Sequence, residues 1–267
     1  MSELAKIIIL SIVQGVTEFL PISSSGHLAV IGRLINIETA NATELTVVLH
    51  AGTLLAIVIF YFKQLLWLLT PEGMRLIPKI ILATIPVGLA GVALHASGLD
   101  DTLFSNLLVP GVGFFITGSF LLFFSRGHED KIELGKISFK DSVLVGLAQA
   151  VAILPGVSRS GSTISTALKL GVKNTDAATF SFLLAIPAIL GATVVKVASK
   201  IMKNEVDFGS EHFLNLGTGF AVSALVGYFS LCLLLATIKK GKLSIFAYYC
   251  FILGSAVILW GICDIFN

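Results

Sequence analysis

The sequence predicts an all-α integral membrane protein built as an inverted repeat. Each half is a re-entrant helical hairpin plus three transmembrane helices. Three observations carry this. Of the 267 residues, 55% are hydrophobic and 13% charged, with a mean hydropathy of +0.95, where soluble domains have about a quarter of their residues charged. Eight apolar stretches can be drawn, two of them interrupted midway by Pro, Gly and Ser. The order of one interrupted stretch followed by three continuous ones occurs twice.

A spanning helix needs ~20 apolar residues. The first stretch, 4–35, is broken at Pro21-Ile22-Ser23-Ser24-Ser25-Gly26. Each half is too short to cross a bilayer comfortably, so a helix–turn–helix entering and leaving by one face is expected. Spans follow at 45–62, 76–95 and 107–125. After a linker at 126–141, a second stretch, 142–171, is broken at Pro155-Gly156-Val157-Ser158-Arg159-Ser160-Gly161. Spans at 178–198, 213–236 and 243–265 complete the chain. The chain thus reads as one membrane domain, 1–267, of two pseudo-repeats, about 1–125 and 142–267. Irregular backbone at membrane depth is tolerated only against protein or a polar cavity, so both breaks should face a shared interior.

A shift of 135 residues brings Gln14 onto Gln149, Val16 onto Val151, Ser23 onto Ser158, Ser25 onto Ser160 and Gly26 onto Gly161. One residue more brings "FITGS" at 115–119 onto "FILGS" at 251–255. A hairpin plus three spans is an odd number of crossings, so the second half is inserted upside down. In transporters such a repeat places the site near the midplane, where discontinuous helices meet. The basic turns at 63–79, 126–141, 169–174 and 237–243 fall on one side, which makes it cytoplasmic. The opposite turns, "ASGLDDTLFSN" and "NEVDFGSEH", are mainly acidic and polar, although Lys200 and Lys203 lie beside the second.

Other classes are disfavoured. A net charge of +2 without basic tracts gives no footprint for nucleic acid. The N-terminal "MSELAKIIIL" lacks a basic n-region and a cleavage site, so no removed signal peptide is expected. Cys232, Cys250 and Cys263 are odd in number and without metal spacing, and read as helix-packing residues.

The chemistry concentrates at the two breaks. An arginine at membrane depth costs ~3 kcal/mol on insertion scales, so Arg159 should be paired or functional. Its planar fork suits phosphate oxygens. Ser158, Ser160, Gly161 and Thr163 surround it with small groups whose amides can face an anion, and Ser162-Thr163-Ile164-Ser165 reads as a helix start beyond it. In the first break, Gln14 and Glu18 share a helix face at i, i+4. Glu18 can hold a divalent cation, position water or act as a base. His27 can move a proton or attack phosphorus, and Ser24 can bind phosphate or attack it. Ser23, Ser25 and Gly26 complete the turn. Glu44 and His50 read as structural or supporting residues. Guanidinium, serine amides, carboxylate and imidazole together suit phosphoryl chemistry on a substrate living in the bilayer.

"QGVTEFLPISSSGHL" and "PGVSRSGSTI" resemble the motifs of undecaprenyl-diphosphate phosphatases of the bacitracin-resistance type, and "FSFLLAIPAILGAT" at 180–193 extends the resemblance. It implies hydrolysis of undecaprenyl diphosphate to the monophosphate and inorganic phosphate, recycling the carrier lipid for cell-wall polymers. It also implies a multi-pass protein of the bacterial inner membrane, a pocket open to the outer face, and dependence on Mg2+ or Ca2+ held partly by Glu18. Partners implied are the lipid diphosphate and the bilayer, with a homodimer allowed. Glu18, Ser24, His27 and Arg159 carry the catalytic positions. Gln14, Ser23, Ser25, Gly26, Ser158, Ser160, Gly161 and Thr163 carry the substrate-binding ones. Some members have a carboxylate at the position of Gln14. Two rivals remain: a transporter or flippase for an anionic lipid, and a structural protein in which Glu18 and Arg159 form only a buried ion pair.

Overall fold

A computed structural model describes residues 1–36, 39–99, 102–103, 106–124, 131–202 and 210–266. Its helices are α1 Glu3–Phe19, α2 Ser24–Leu34, α3 Thr39–Phe60, α4 Phe62–Trp67, α5 Ile77–Ser97, α6 Leu108–Ser119, α7 Phe139–Val151, α8 Arg159–Lys169, α9 Asn174–Met202, α10 Ser210–Lys239 and α11 Ser244–Phe266. A π-helical turn, Phe120–Phe124, continues α6. Among the described residues there is no strand, only an isolated bridge between Ile132 and Val172.

Four helices are long and apolar enough to cross a membrane: Gly73–Ser97, Asn174–Ala198, Phe213–Lys239 and Ser244–Asp264. They answer to four of the six expected spans. The other two appear as shorter apolar helices, Glu44–Phe60 and Leu108–Phe124. Large apolar side chains such as Leu89 (68% exposed) and Ile252 (72% exposed) face outward, as a lipid-facing surface requires. Most of "NEVDFGSEH", Asp100 and Asp101 of the other acidic turn, and Arg126 with the first part of the linker lie outside the described residues.

Both interrupted stretches break where the sequence places the turns, each for a local reason. Leu20 precedes Pro21 and is driven to φ −61°, ψ 140°, which ends α1. Ser23 then sits at φ 70°, a left-handed conformation that costs a non-glycine residue of order 1–3 kcal/mol. Its side chain accepts the Gly26 N–H and caps α2. In the second break Gly156 has φ 87°, and a Cβ there would lie 2.2 Å from the Pro110 carbonyl oxygen. Only glycine fits.

Two boundaries differ from expectation. The second stretch begins at Phe139 rather than 142, because Ser138 and Asp141 form a capping box. Its second helix begins at Arg159 rather than Ser162. Ser158 is the cap, its hydroxyl accepting the Gly161 N–H at 3.0 Å, so Arg159 lies in the first helical turn.

Helices α1 and α3 pack on α10, α7 packs on α5, and α6 packs on α11. Small residues at the crossings let backbones approach. A Cβ on Gly146 would lie 2.5 Å from the Ala83 carbonyl oxygen, and one on Gly15 2.8 Å from Val226 Cβ. Phe19, Tyr61, Phe180 and Phe182 are fully buried beneath the site, with Phe19 and Phe182 rings edge to face at 5.6 Å.

Candidate active site

The two breaks touch. A Cβ on Gly26 would lie 2.6 Å from Phe114 Cζ and 2.9 Å from Gly156 Cα, and Gly161 faces the Pro21 ring. Ser160 Oγ donates to the Leu20 carbonyl at 3.5 Å. Helix α6 locks the second turn: Thr117 Oγ1 donates to the Gly156 carbonyl at 2.9 Å and accepts the Ser158 N–H at 2.8 Å. The two caps share a construction. Ser23 and Ser25 hydroxyls are 3.3 Å apart, and Ser158 and Ser160 hydroxyls 3.2 Å.

Glu18, with 7% of its side chain exposed, is the hub. Its Oε1 accepts from Arg159 at 2.7 Å. Its Oε2 accepts from Ser24 Oγ at 2.6 Å and from Gln14 Nε2 at 3.2 Å. Sequence separation between Glu18 and Arg159 is 141 residues, so the pair exists only because the breaks meet. Arg159 also donates to the Ser181 carbonyl at 3.4 Å and lies 5.8 Å from the centre of the Phe182 ring. Thr163 bonds the Ser181 hydroxyl at 2.6 Å. Together these contacts fix the guanidinium at the start of α8.

His27 is turned elsewhere. Its Nδ1 lies 2.7 Å from the Ser23 carbonyl, an acceptor, so Nδ1 carries the hydrogen. Its Nε2, 2.7 Å from Tyr249 Oη, then accepts that hydroxyl. The His27 and Tyr249 rings are stacked, with 3° between their planes, and Phe114 meets His27 edge-on. Both nitrogens are thus engaged, neither with Glu18, Ser24 or Arg159.

The expected clamp amides divide. Ser158, Gly161 and Gly26 N–H groups are already bonded. The first-turn N–H groups of Ser24, Ser25, Arg159 and Ser160 have no intrahelical acceptor.

Sequence reasoning placed His50 in support, and its Nε2 lies 3.7 Å from Glu18 Oε2, held by Nδ1 on the Thr46 carbonyl at 2.7 Å. Tyr249, Thr117 and Ser181 were missed. Tyr249 lies in an apolar span with no local motif, while Thr117 and Ser181 sit within the quoted segments 115–119 and 180–193 without a signal of their own. Gln14 Oε1 is buried with no hydrogen-bond partner.

A helical multi-pass membrane protein with a carboxylate–guanidinium–serine site between two broken helices is the class these features define. The chain belongs to the family described as Bacitracin resistance protein BacA, whose match runs over residues 7–256. It is 38% identical to the undecaprenyl-diphosphatase of Methanobrevibacter smithii, across 99% of this chain and 100% of that one. It is 39% identical to that of Alkaliphilus metalliredigens, across 96% and 98%. It is 38% identical to that of Carboxydothermus hydrogenoformans, across 94% and 95%.

Proposed function

We infer that this chain is an undecaprenyl-diphosphate phosphatase, hydrolysing the lipid diphosphate to undecaprenyl phosphate and inorganic phosphate and so recycling the carrier lipid for cell-wall synthesis. Whole-length similarity to enzymes of that name supports the reaction. The observation that carries the chemistry is the Ser24–Glu18–Arg159 chain of hydrogen bonds at the meeting of two helix N-termini.

Arg159 and the first-turn amides of Ser24, Ser25, Arg159 and Ser160 bind the phosphate oxygens, aided by the positive helix ends. Entry of the terminal phosphate beside Arg159 loosens its hold on Glu18. Ser24 Oγ, already donating to Glu18 Oε2, is the nucleophile: its oxygen bonds to the terminal phosphorus as the proton passes to Glu18. The bond from that phosphorus to the bridging oxygen breaks, and lipid monophosphate leaves. Glu18 gives that proton to the oxygen of the leaving lipid monophosphate and, a carboxylate again, takes a proton from the water that attacks the phosphoserine. The bond from Ser24 Oγ to phosphorus breaks, Glu18 returns the proton to Oγ, and inorganic phosphate is released. His27, braced by Tyr249, shapes the turn that presents Ser24. This choice of Ser24 over His27 rests on their hydrogen-bond partners.

The donor set also bears on a cation. The unpartnered Gln14 Oε1, the Glu18 carboxylate and the Ser24 hydroxyl are hard oxygens. Among the described residues no group of three or more His, Cys, Asp or Glu could hold a metal ion. Oxygen donors such as those of Gln14, Glu18 and Ser24 are the kind Mg2+ or Ca2+ takes, with substrate oxygens and water completing the shell. Gln14 and Glu18 would hold the ion, and when bound it would neutralise phosphate charge.

The halves form inverted repeats with re-entrant hairpins, and the pocket opens to the outer face of a bacterial inner membrane. An exchange of partners supports the repeat: α1 packs on α10 and α7 on α5, while α10 and α5 hold the same place in their halves. The α6 and α11 counterparts pack on each other.

The test is phosphate release from undecaprenyl diphosphate by purified protein in detergent, with Mg2+ or Ca2+. Release by wild type and its loss in Arg159→Ala at normal yield support the enzyme. Binding without release would leave a transporter.

A further inference from the structure

Away from this site, α7, α8 and the π-helical turn enclose a groove of about 360 Å3. Its walls are apolar, among them Phe120, Phe124, Leu147 and Val151, and two polar groups line it, Thr166 and Lys169. Thr166 is 8% exposed, and its hydroxyl is buried without a hydrogen-bond partner. Leaving such a group unpaired costs ~1–3 kcal/mol, and an acceptor brought by an occupant of the groove would relieve that cost once the side chain turns outward. Lys169 stands at one end, and Lys140 extends the same α7 face one turn beyond Leu144, another wall residue. Neither lysine is in an ion pair among the described residues. Nearby Lys136 and Lys173 both pair with Glu133, and Lys79 donates to the Gly135 carbonyl and stands over the Phe139 ring, whereas Lys140 and Lys169 have no such partner among the described residues. The π-helical wall is itself a local irregularity of a kind frequent at functional sites.

We propose that this groove is a binding site for an anionic glycerophospholipid, separate from the active site. One acyl chain lies along Phe120, Leu147 and Val151. An ester carbonyl accepts the Thr166 hydroxyl, and the headgroup phosphate sits between Lys140 and Lys169. A zwitterionic lipid fills the same walls but brings a cation against the two ammonium groups, so charge discriminates. Ten residues of α8 separate Lys169 from Arg159, ~15 Å along the helix axis. The bound lipid therefore steadies the far end of the helix that presents Arg159 without touching substrate.

The experiment is native mass spectrometry of the purified full chain, titrated with phosphatidylglycerol or phosphatidylcholine of matched acyl chains. Lys140→Ala/Lys169→Ala, Thr166→Val and a groove-filling Ala148→Trp are run beside wild type. Phosphate release from undecaprenyl diphosphate confirms each variant is folded. Wild type is expected to retain phosphatidylglycerol at least ~10-fold better than phosphatidylcholine. The double lysine variant should lose that preference while still binding lipid, and Ala148→Trp should lose both lipids. Equal retention of the two lipids by wild type would overturn the proposal. So would phosphatidylglycerol retention unchanged in both the lysine and the tryptophan variants, or displacement of the lipid by undecaprenyl phosphate alone.

Discussion

Glu18→Gln separates a reactive carboxylate from a structural ion pair. Glu18 and Arg159 meet at 2.7 Å, with 7% and 15% of their side chains exposed. At that distance and an effective dielectric of ~20, the direct attraction is ~6 kcal/mol before desolvation is subtracted. Removing one charge from a buried pair costs about 3–5 kcal/mol, because the other is left uncompensated. The amide keeps the shape and moderates that loss, although its single oxygen replaces only one of the two carboxylate oxygens, so it accepts from Arg159 while its NH2 group stands beside Ser24. It cannot take the Ser24 proton. Turnover should therefore fall ~10²–10⁴-fold, the usual worth of a positioned base, while thermal unfolding in detergent shifts modestly. The assay is phosphate release from undecaprenyl diphosphate, read with melting temperature and purified yield on one preparation. Turnover within ten-fold of wild type, alongside a large fall in melting temperature, would refute the reasoning and leave the pair purely structural.

Other outcomes follow from the same geometry. Ser24→Ala should cut turnover at least ~10²-fold with folding intact, and a phosphate label trapped from quenched wild type should map to Ser24; a label on His27 contradicts this. Tyr249→Phe removes the hydroxyl that His27 Nε2 accepts, a loss of ~0.5–1.5 kcal/mol; a few-fold lower turnover and a melting temperature lower by a few degrees are expected, checked by the same two assays. Gly26→Ala drives a Cβ to within 2.6 Å of Phe114 and should destabilise by ~1–3 kcal/mol, seen as a lower melting temperature. Glu133 sits between Lys173 and Lys136, whose hydrogen bonds and charges hold its carboxyl at about 2, against 4.5 unperturbed. A carboxyl depressed on folding stabilises above its unfolded value and loses that contribution as pH falls toward the folded one. Melting curves of wild type and Glu133→Gln should therefore converge between pH 4.5 and 2.

The membrane character, the two breaks and the family motifs were legible because each rests on local chemistry. Apolar runs declare helices, Pro21 ends one, and Ser23 and Ser158 cap the next. Arg159 was legible as a residue that must be paired or functional, because a guanidinium at that depth costs ~3 kcal/mol, and it pairs with Glu18. The exact start of α8 was not, since Ser158 and Ser162 offer equivalent local caps and only docking of Thr117 onto the Ser158 N–H selects between them.

What the sequence by itself determined was the set of polar groups and the helical grammar around them: Glu18, Ser24, His27 and Arg159 on short helices with serine caps. What the tertiary structure alone decided was their pairing. Glu18 joined Arg159 and Ser24 rather than His27. His27 joined Tyr249, 222 residues away, and His50 drew up beside the carboxylate from α3. Periodicity and caps act over one or two turns, so they are written locally. The partner of a buried charge depends on which helices cross, and that is settled by small residues such as Gly26 and Gly156 allowing backbones to meet.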